Sequence, residues 1–420
     1  MNKPRTNLDE KAQAAAFLRC QTDLSQEAIA KALCVSQSAV SRLLRHARTL
    51  GCLREISQFI RTADIDDGRM GRIERLLEYS DLDQILARLP TRTGIRLRAV
   101  RVFDSGSTDN SPTGINLRQK TFARAAASRL ADRLRDATVV GVTWGSTVSS
   151  AIDALGHLAY PWPPSRDRKV IPVSAEPLRY ATNEYTSSTL ARRLHGIMCS
   201  DQSEAMPLAL TGVPAFIPED LADIVTDPTA FPKRTLSALP KFLRKFFEQN
   251  SSGYRELFIG PNPLVERIDM LVTSAGTADK PLGFCNEDLR KVSGLAPRVL
   301  SRLVLGDVGG VLLPAMPLSP RDAAKVASLN SMWTGIQRVH LETIARRAEI
   351  EGTPGVVLMA IGASRSTIVC QAVAEGLCSE LIIDRDLATA LPDEVRRRLQ
   401  ATRTQALKST TRVRFPSTSS

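Results

Sequence analysis

Little in this sequence points to covalent or metal chemistry. Its 420 residues hold four histidines, His46, His157, His195 and His340. Each stands alone in a helical pattern, whereas general acid–base catalysis needs a base positioned against a partner. The sequence has no HExxH, no P-loop lysine and no GxSxG, so the local parts of zinc proteases, P-loop nucleotidases and α/β-hydrolases are missing. Seven cysteines occur (Cys20, Cys34, Cys52, Cys199, Cys285, Cys370 and Cys378), an odd number without CxxC spacing. That excludes a disulfide framework or zinc finger and fits reduced thiols packed as small apolar groups in a cytoplasmic protein. No metal and no cofactor is expected. No run approaches the roughly 18 apolar residues that cross a bilayer, and the N-terminus enters polar sequence without the apolar core of a secretory signal. A membrane partner is therefore not expected.

Positive charge is abundant. The formal net charge is +12, which favours polyanionic partners. Residues 1–62 carry ten Lys and Arg against five Asp and Glu, or +5, and the remaining 358 residues share the other +7. The N-terminal piece is the denser cationic surface.

That piece contains the most specific motif. Residues 8–20 predict a helix with Leu8, Ala12, Ala15, Ala16 and Leu18 on one apolar face. Residues 25–48, SQEAIAKALCVSQSAVSRLLRHAR, predict a helix pair. Ser25 caps the first helix and Ser36 the second, with Cys34-Val35-Ser36 as the turn. Ala28, Ile29 and Leu33 turn inward, and Val40, Leu43, Leu44 and Ala47 recur at helical spacing to pack the second helix down. Gln37, Ser38, Ser41, Arg42 and Arg45 remain on its outer face. A helix-turn-helix presents the N-terminal part of its second helix to the major groove. There Gln37, Ser38 and Arg42 suit base edges, while Lys31, Ser36, Ser41 and Arg45 suit phosphates. Double-stranded operator DNA is the expected partner, and paired half-sites call for a homodimer or homotetramer. The alternative for this motif is a helical hairpin with a solvated basic face.

Beyond it, residues 52–60 suit a short strand or wing, 62–72 a linker, and 73–88 a helix whose apolar stripe serves coupling, oligomerisation or packing within one subunit. From about residue 96 strands alternate with helices. The strands are 97–103, 138–143, 169–174, 206–210, 268–274, 355–361 and 380–384. The helices include 117–136, 146–157, 186–198, 217–225 and 364–375. This rhythm predicts an α/β fold with a doubly wound, mostly parallel sheet. The expected domains are a helix-turn-helix unit at 1–60, a coupling segment at 61–95, an α/β effector domain at 96–400 with a basic insertion at 228–262, and a disordered tail at 401–420.

Four segments, IAKALCVSQSAVSRLLRHARTLG (29–51), GVTWGSTVSSAIDAL (141–155), GDVGG (306–310) and the closing strand–helix–strand at 355–391, together resemble the SorC family of sugar-responsive transcriptional regulators. The resemblance spans most of residues 15–391. It implies an effector domain of the sugar-phosphate isomerase and deaminase type, a small-molecule effector that is a phosphorylated sugar, and oligomers, commonly tetramers. The residues agree. Gly145 lets a ligand approach the backbone, and the amides of Ser146 and Thr147 open a helix, where an anion is favoured. Gly362 and Arg365 form a second strand-to-helix loop, with Arg365 at the family's lysine position. Asp307 suits either sugar hydroxyls or a turn cap. The departures are Val311 and Pro314, where the family carries an arginine and an acid, and Ser174-Ala175-Glu176-Pro177, where it carries two glycines. Glu176, Arg179 and Tyr180 beside that loop are candidates for new contacts. The alternatives are a regulator with a non-sugar effector or none, or an isomerase- or deaminase-like enzyme on the same fold. A transposase or recombinase would need clustered carboxylates. Asp64, Asp66 and Asp67 cluster in a Gly-containing linker, where they are expected to be solvated, without metal-dependent DNA cleavage. The expectation is a regulator that is not an enzyme.

Overall fold

The computed structural model describes residues 5–22, 24–53, 81–106, 111–163, 167–174, 183–199, 208, 210, 213, 215, 239–278, 286–315 and 318–412. Several expectations lie outside those residues. They are the wing beyond residue 53, the 62–72 linker with Asp64, Asp66 and Asp67, the first half of helix 73–88, helix 217–225, most of strand 206–210, the insertion up to residue 238, and the loop holding Glu176, Arg179 and Tyr180.

Three helices form the N-terminal unit: α1 (Arg5–Thr22), α2 (Gln26–Ala32) and α3 (Gln37–Thr49). The Ser25 and Ser36 side chains accept the Ala28 and Ala39 N–H groups at 3.2 Å each. Such caps contribute about 1 kcal/mol apiece. Ala12, Ala15, Ala16, Phe17 and Leu18 of α1 pack on Ile29, Val40, Leu43, Leu44 and Ala47 in one cluster. Leu8, expected on that face, is 53% exposed, because it lies a turn before α1 meets its neighbours. Ala28 and Leu33 are half-buried rather than interior.

The turn between α2 and α3 has one unusual residue. Cys34 adopts φ +51°, the left-handed region where a side chain costs about 1–2 kcal/mol and glycine none. Cys34→Gly is expected to stabilise this unit by about 0.5–1 kcal/mol, since glycine's greater unfolded-state freedom offsets part of the gain. A urea midpoint that stays put or falls would refute this.

The α/β domain is built on a parallel sheet. Its strands are β1 (Ala99–Phe103), β2 (Val139–Val142), β3 (Lys169–Pro172), β4 (Met270–Thr277), β7 (Gly355–Ala360) and β8 (Glu380–Asp384), in the order β1-β8-β7-β4-β2-β3. Every neighbouring pair on that path is parallel. Two strands absent from the expected set, β5 (Val304–Val308) and β6 (Val311–Pro314), form a hairpin antiparallel to the far end of β4. Val311 and Pro314, the departures after GDVGG, are the ends of β6.

Both faces of the sheet are covered, as a parallel sheet requires. On one face Val357, Met359, Val142 and Val272 pack under Phe122, Leu130, Ile152 and Leu194, from the helices Pro112–Arg135, Ser146–Gly156 and Ser187–Met198. On the other, Val356, Leu358, Leu381 and Leu271 pack under Leu341, Ile344, Ile368 and Leu387, from the helices Arg338–Glu351, Ser366–Ala374 and Arg385–Arg412. Full burial of each such side chain contributes about 1.5–3 kcal/mol. The helices Leu239–Asn250 and Ser252–Phe258 fall in the expected insertion, and Phe247, Tyr254 and Leu257 join the second core. Of the expected coupling helix, Leu82–Leu86 is described, with Leu82 and Leu86 buried.

The C-terminus corrects an expectation. Residues 401–412, read as the start of a disordered tail, continue the helix Arg385–Arg412. The Ser/Thr/Arg-rich composition obscured a helix already under way from the apolar turns at Leu387, Leu391 and Val395, all buried.

Candidate functional site

The strand order defines where a ligand fits. From β2 the chain steps outward to β3, whereas from β7 it steps the other way to β8, and β4 lies between β2 and β7. The C-terminal ends of β2, β4 and β7 therefore form the topological switch point, the crevice where open α/β sheets take ligands. The predicted effector residues converge on it.

After β2, Gly145 turns the chain into the helix Ser146–Gly156 with φ +127°. A Cβ there would lie 2.9 Å from Ser274 Oγ, where the parallel pairing of β4 ends, so the loop after β2 meets β4 with no room for a side chain. Ser149 N–H is the first of this helix to bond back, to Gly145 O at 2.9 Å. The preceding amides point out of the helix end, where the dipole favours an anion. Ser146 is exposed and Thr147 nearly buried. Gln119 Nε2 donates to Ser146 Oγ at 2.8 Å, a partner that sequence reasoning missed.

After β7, Gly362 opens the second loop. Its N–H donates to Asp384 Oδ1 at 2.8 Å. Arg365 is half-buried, and its guanidinium donates to Ala275 O at 3.1 Å and to Ile361 O. It therefore braces the ends of β4 and β7 and carries its charge to the rim of the crevice. Asp307 is 3% exposed and accepts Gly310 N–H at 3.1 Å inside the β5–β6 turn. This contact is the turn cap of its two predicted uses. That turn reaches back over the crevice floor. Gly309 N–H donates to Ser274 O at 3.3 Å, and Gly310 lies against the Trp333 ring, which a Cβ would enter at 2.2 Å. Trp333 in turn meets Trp144 edge to face, with centroids 4.8 Å apart.

One group unites this rim, and the sequence alone did not single it out. Asp384 ends β8 fully buried. It accepts from Ser105 Oγ (3.1 Å), Arg118 (2.9 Å), Gly362 N–H (2.8 Å) and Leu387 N–H (3.1 Å). Arg118 also reaches Asp386 at 2.6 Å. The available signal was an aspartate closing an apolar strand at the sheet's C-terminal edge, followed by Arg385-Asp386.

In the helix-turn-helix, Lys31, Ser36, Gln37, Ser38, Ser41, Arg42 and Arg45 are all exposed, while Val40, Leu43, Leu44 and Ala47 are buried. Two predicted phosphate contacts have protein partners. Ser36 Oγ caps α3 and lies 3.0 Å from Ser38 Oγ. Ser41 Oγ donates to Gln26 Oε1 at 2.8 Å. Near the C-terminal end of α3, His46 Nε2 lies 2.7 Å from Asp9 Oδ1 and ties α3 to α1.

His340 Nδ1 accepts Gln337 N–H at a helix start, and His195 sits in the helix Ser187–Met198, where burial lowers its pKa. Burial pushes the Cys370 and Cys378 thiols up to about 12, so both are inert at neutral pH. Among the described residues no helix is long and apolar enough to cross a membrane.

No protein-family model and no curated protein matches the chain. Among solved structures, it is similar to the full-length sorbitol operon regulator SorC from Klebsiella pneumoniae, at 16% identity and TM-score 0.47, covering 90% of this chain and 97% of that one. A DeoR family transcriptional regulator from Listeria monocytogenes matches at 17% identity and TM-score 0.46, over 70% of this chain and 92% of that one. A third, described as a candidate sugar-binding domain of a transcriptional repressor from Vibrio fischeri, matches at 18% identity and TM-score 0.44, over 71% and 94%. The structural neighbours are thus SorC- and DeoR-type transcriptional regulators.

Proposed function

We propose that this chain is a cytoplasmic, non-catalytic transcriptional regulator: α3 reads operator DNA, and the switch-point crevice binds a phosphorylated sugar that modulates the reading. The observation that carries this is the division of α3, whose apolar side is buried against α1 and α2 while Gln37, Ser38, Arg42 and Arg45 share its exposed side. Arginine and glutamine on such a face make bidentate contacts to guanine and adenine. In the crevice, the amides after Gly145 and the Arg365 guanidinium supply the favourable field for a phosphate. The reading heads act in pairs, in a homodimer or homotetramer, so that half-sites fall whole helical turns apart. The effector acts by binding two quaternary states with unequal affinity.

The test is DNA binding by fluorescence anisotropy, with a duplex selected from a random pool and a scrambled control, over a range of salt. We expect affinity for the selected duplex to fall steeply with salt as counterions are released. Arg42→Ala should cost about 1–3 kcal/mol at one base pair while leaving binding to the control nearly unchanged. Equal binding of both duplexes by wild type and variant would refute sequence reading by α3.

A further inference from the structure

The rim of the crevice carries two hydroxyls that the phosphate reading does not use. In the parallel registers Val142 lies opposite Pro172 of β3 and opposite Val272 of β4. Two residues further on, Ser174 and Ser274 stand at the same level, one on each side of the strand that ends in the Gly145 loop. Strand alternation puts both on the face of Val170, Val142 and Val272, the face covered by the helix Ser146–Gly156. The approach of Gly145 to Ser274 Oγ shows that the level persists beyond the paired residues on the β4 side.

Ser174 is the less usual of the two. It is 0% exposed, and its Oγ is buried without a hydrogen-bond partner. Its own N–H and that of Val173 go to Ser187 Oγ at 3.2 and 3.0 Å, and Ser187 donates to Val142 O. The Ser174 hydroxyl takes no part in that network. A buried hydroxyl with no partner costs about 1–3 kcal/mol, and native structures keep few such groups. A ligand that supplies the missing hydrogen bond removes the cost. Ser274, half-buried where the parallel pairing of β4 ends, offers a second hydroxyl across the same loop.

We propose that Ser174 and Ser274 are ligand-binding residues that read two hydroxyl groups of a polyhydroxylated effector lying across the Gly145 loop. Two strand spacings separate them by about 10 Å, and two hydrogen bonds of about 2.8 Å leave roughly 4 Å between the ligand's own oxygens. That matches oxygens across a sugar ring or a short polyol. The inference rests on the effector reading above and deepens it. The phosphate is held by the amides after Gly145, and the identity of the sugar is read by serines from the two strands flanking β2.

The experiment is isothermal titration of the full chain and its Ser174→Ala, Ser274→Ala and Arg365→Ala variants with glucose 6-phosphate, fructose 6-phosphate, their unphosphorylated hexoses and inorganic phosphate. Thermal melts establish folding, and Ser174→Ala should melt no lower than wild type because it removes an unpartnered polar group. We expect each serine variant to bind a hexose phosphate about three- to tenfold more weakly, with inorganic phosphate binding unchanged. Hexose phosphate binding that both serine variants retain, and Arg365→Ala weakens, overturns the proposal and leaves the effector reading standing. Wild-type protein that binds none of these sugars overturns both.

Discussion

Glu380→Gln is expected to destabilise the α/β domain by about 3–5 kcal/mol. Glu380 opens β8 with its side chain 1% exposed, and it receives Arg129 Nε at 3.0 Å and Arg133 Nε at 2.7 Å. Burial alone pushes this carboxyl up, but Arg129, Arg133 and Arg101 outweigh it and hold the group below the ordinary glutamate range. The glutamine keeps the shape and removes the charge, so the arginines lose the carboxylate that compensates them. Because the folded pKa is depressed, the stabilisation is complete above the ordinary glutamate range. It is lost as pH falls through the lower folded value. Chemical denaturation at pH 7 and at pH 4 tests this: the gap between wild type and variant should narrow on acidification. An equal gap at both values would show that packing, not charge, sets the cost. Replacing Glu380, Arg129 and Arg133 together with apolar residues of similar volume should cost far less than removing one partner.

Asp384→Ala is expected to act on both stability and effector binding. The four donors that converge on this carboxylate come from the end of β1, the helix Pro112–Arg135, the loop at Gly362 and the first turn of the last helix. Removing it takes the Asp384 carboxylate from a nearly buried Arg118, which keeps its contact with Asp386, and leaves the Gly362 amide unbonded, a loss of about 3–5 kcal/mol. Asp384→Asn retains acceptor capacity on one oxygen and should lose less. The measurement is the melting temperature of both variants with and without inorganic phosphate. If Asp384 positions the Gly362 loop, the phosphate-induced rise should be smaller in both than in wild type. A full rise in a destabilised Asp384→Ala would limit the residue to a structural role.

Much of this architecture was legible in the sequence because its signals are local. Ser25 and Ser36 announce helix starts through their own caps, and the apolar runs within β2, β7 and β8 announce strands buried on both faces. The β5–β6 hairpin was not legible, since Val304–Val308 and Val311–Pro314 are short, and β5 joins the sheet by pairing with β4 about thirty residues upstream. The same limit applies to the site. Gly145 and Gly362 are visible as strand-to-helix glycines, but Asp384, Arg118, Gln119 and Ser274 come together only through the strand order. Contacts such as Arg118–Asp384, 266 positions apart, leave no periodicity in the chain. Leu8 and residues 401–412 were misread for the complementary reason. A local pattern suggested burial or disorder, and the surroundings decided otherwise.

The edge-to-face indoles of Trp144 and Trp333 give the protein an internal optical gauge. The chain has three tryptophans, and these two sit in contact, one directly before Gly145 and the other under the β5–β6 turn. Any ligand that repositions the Gly145 loop displaces one indole against the other in a site shielded from water. Emission intensity and near-ultraviolet circular dichroism then change together, without a label. Trp162, paired with Tyr160 at 4.7 Å, provides the constant background against which that change is read.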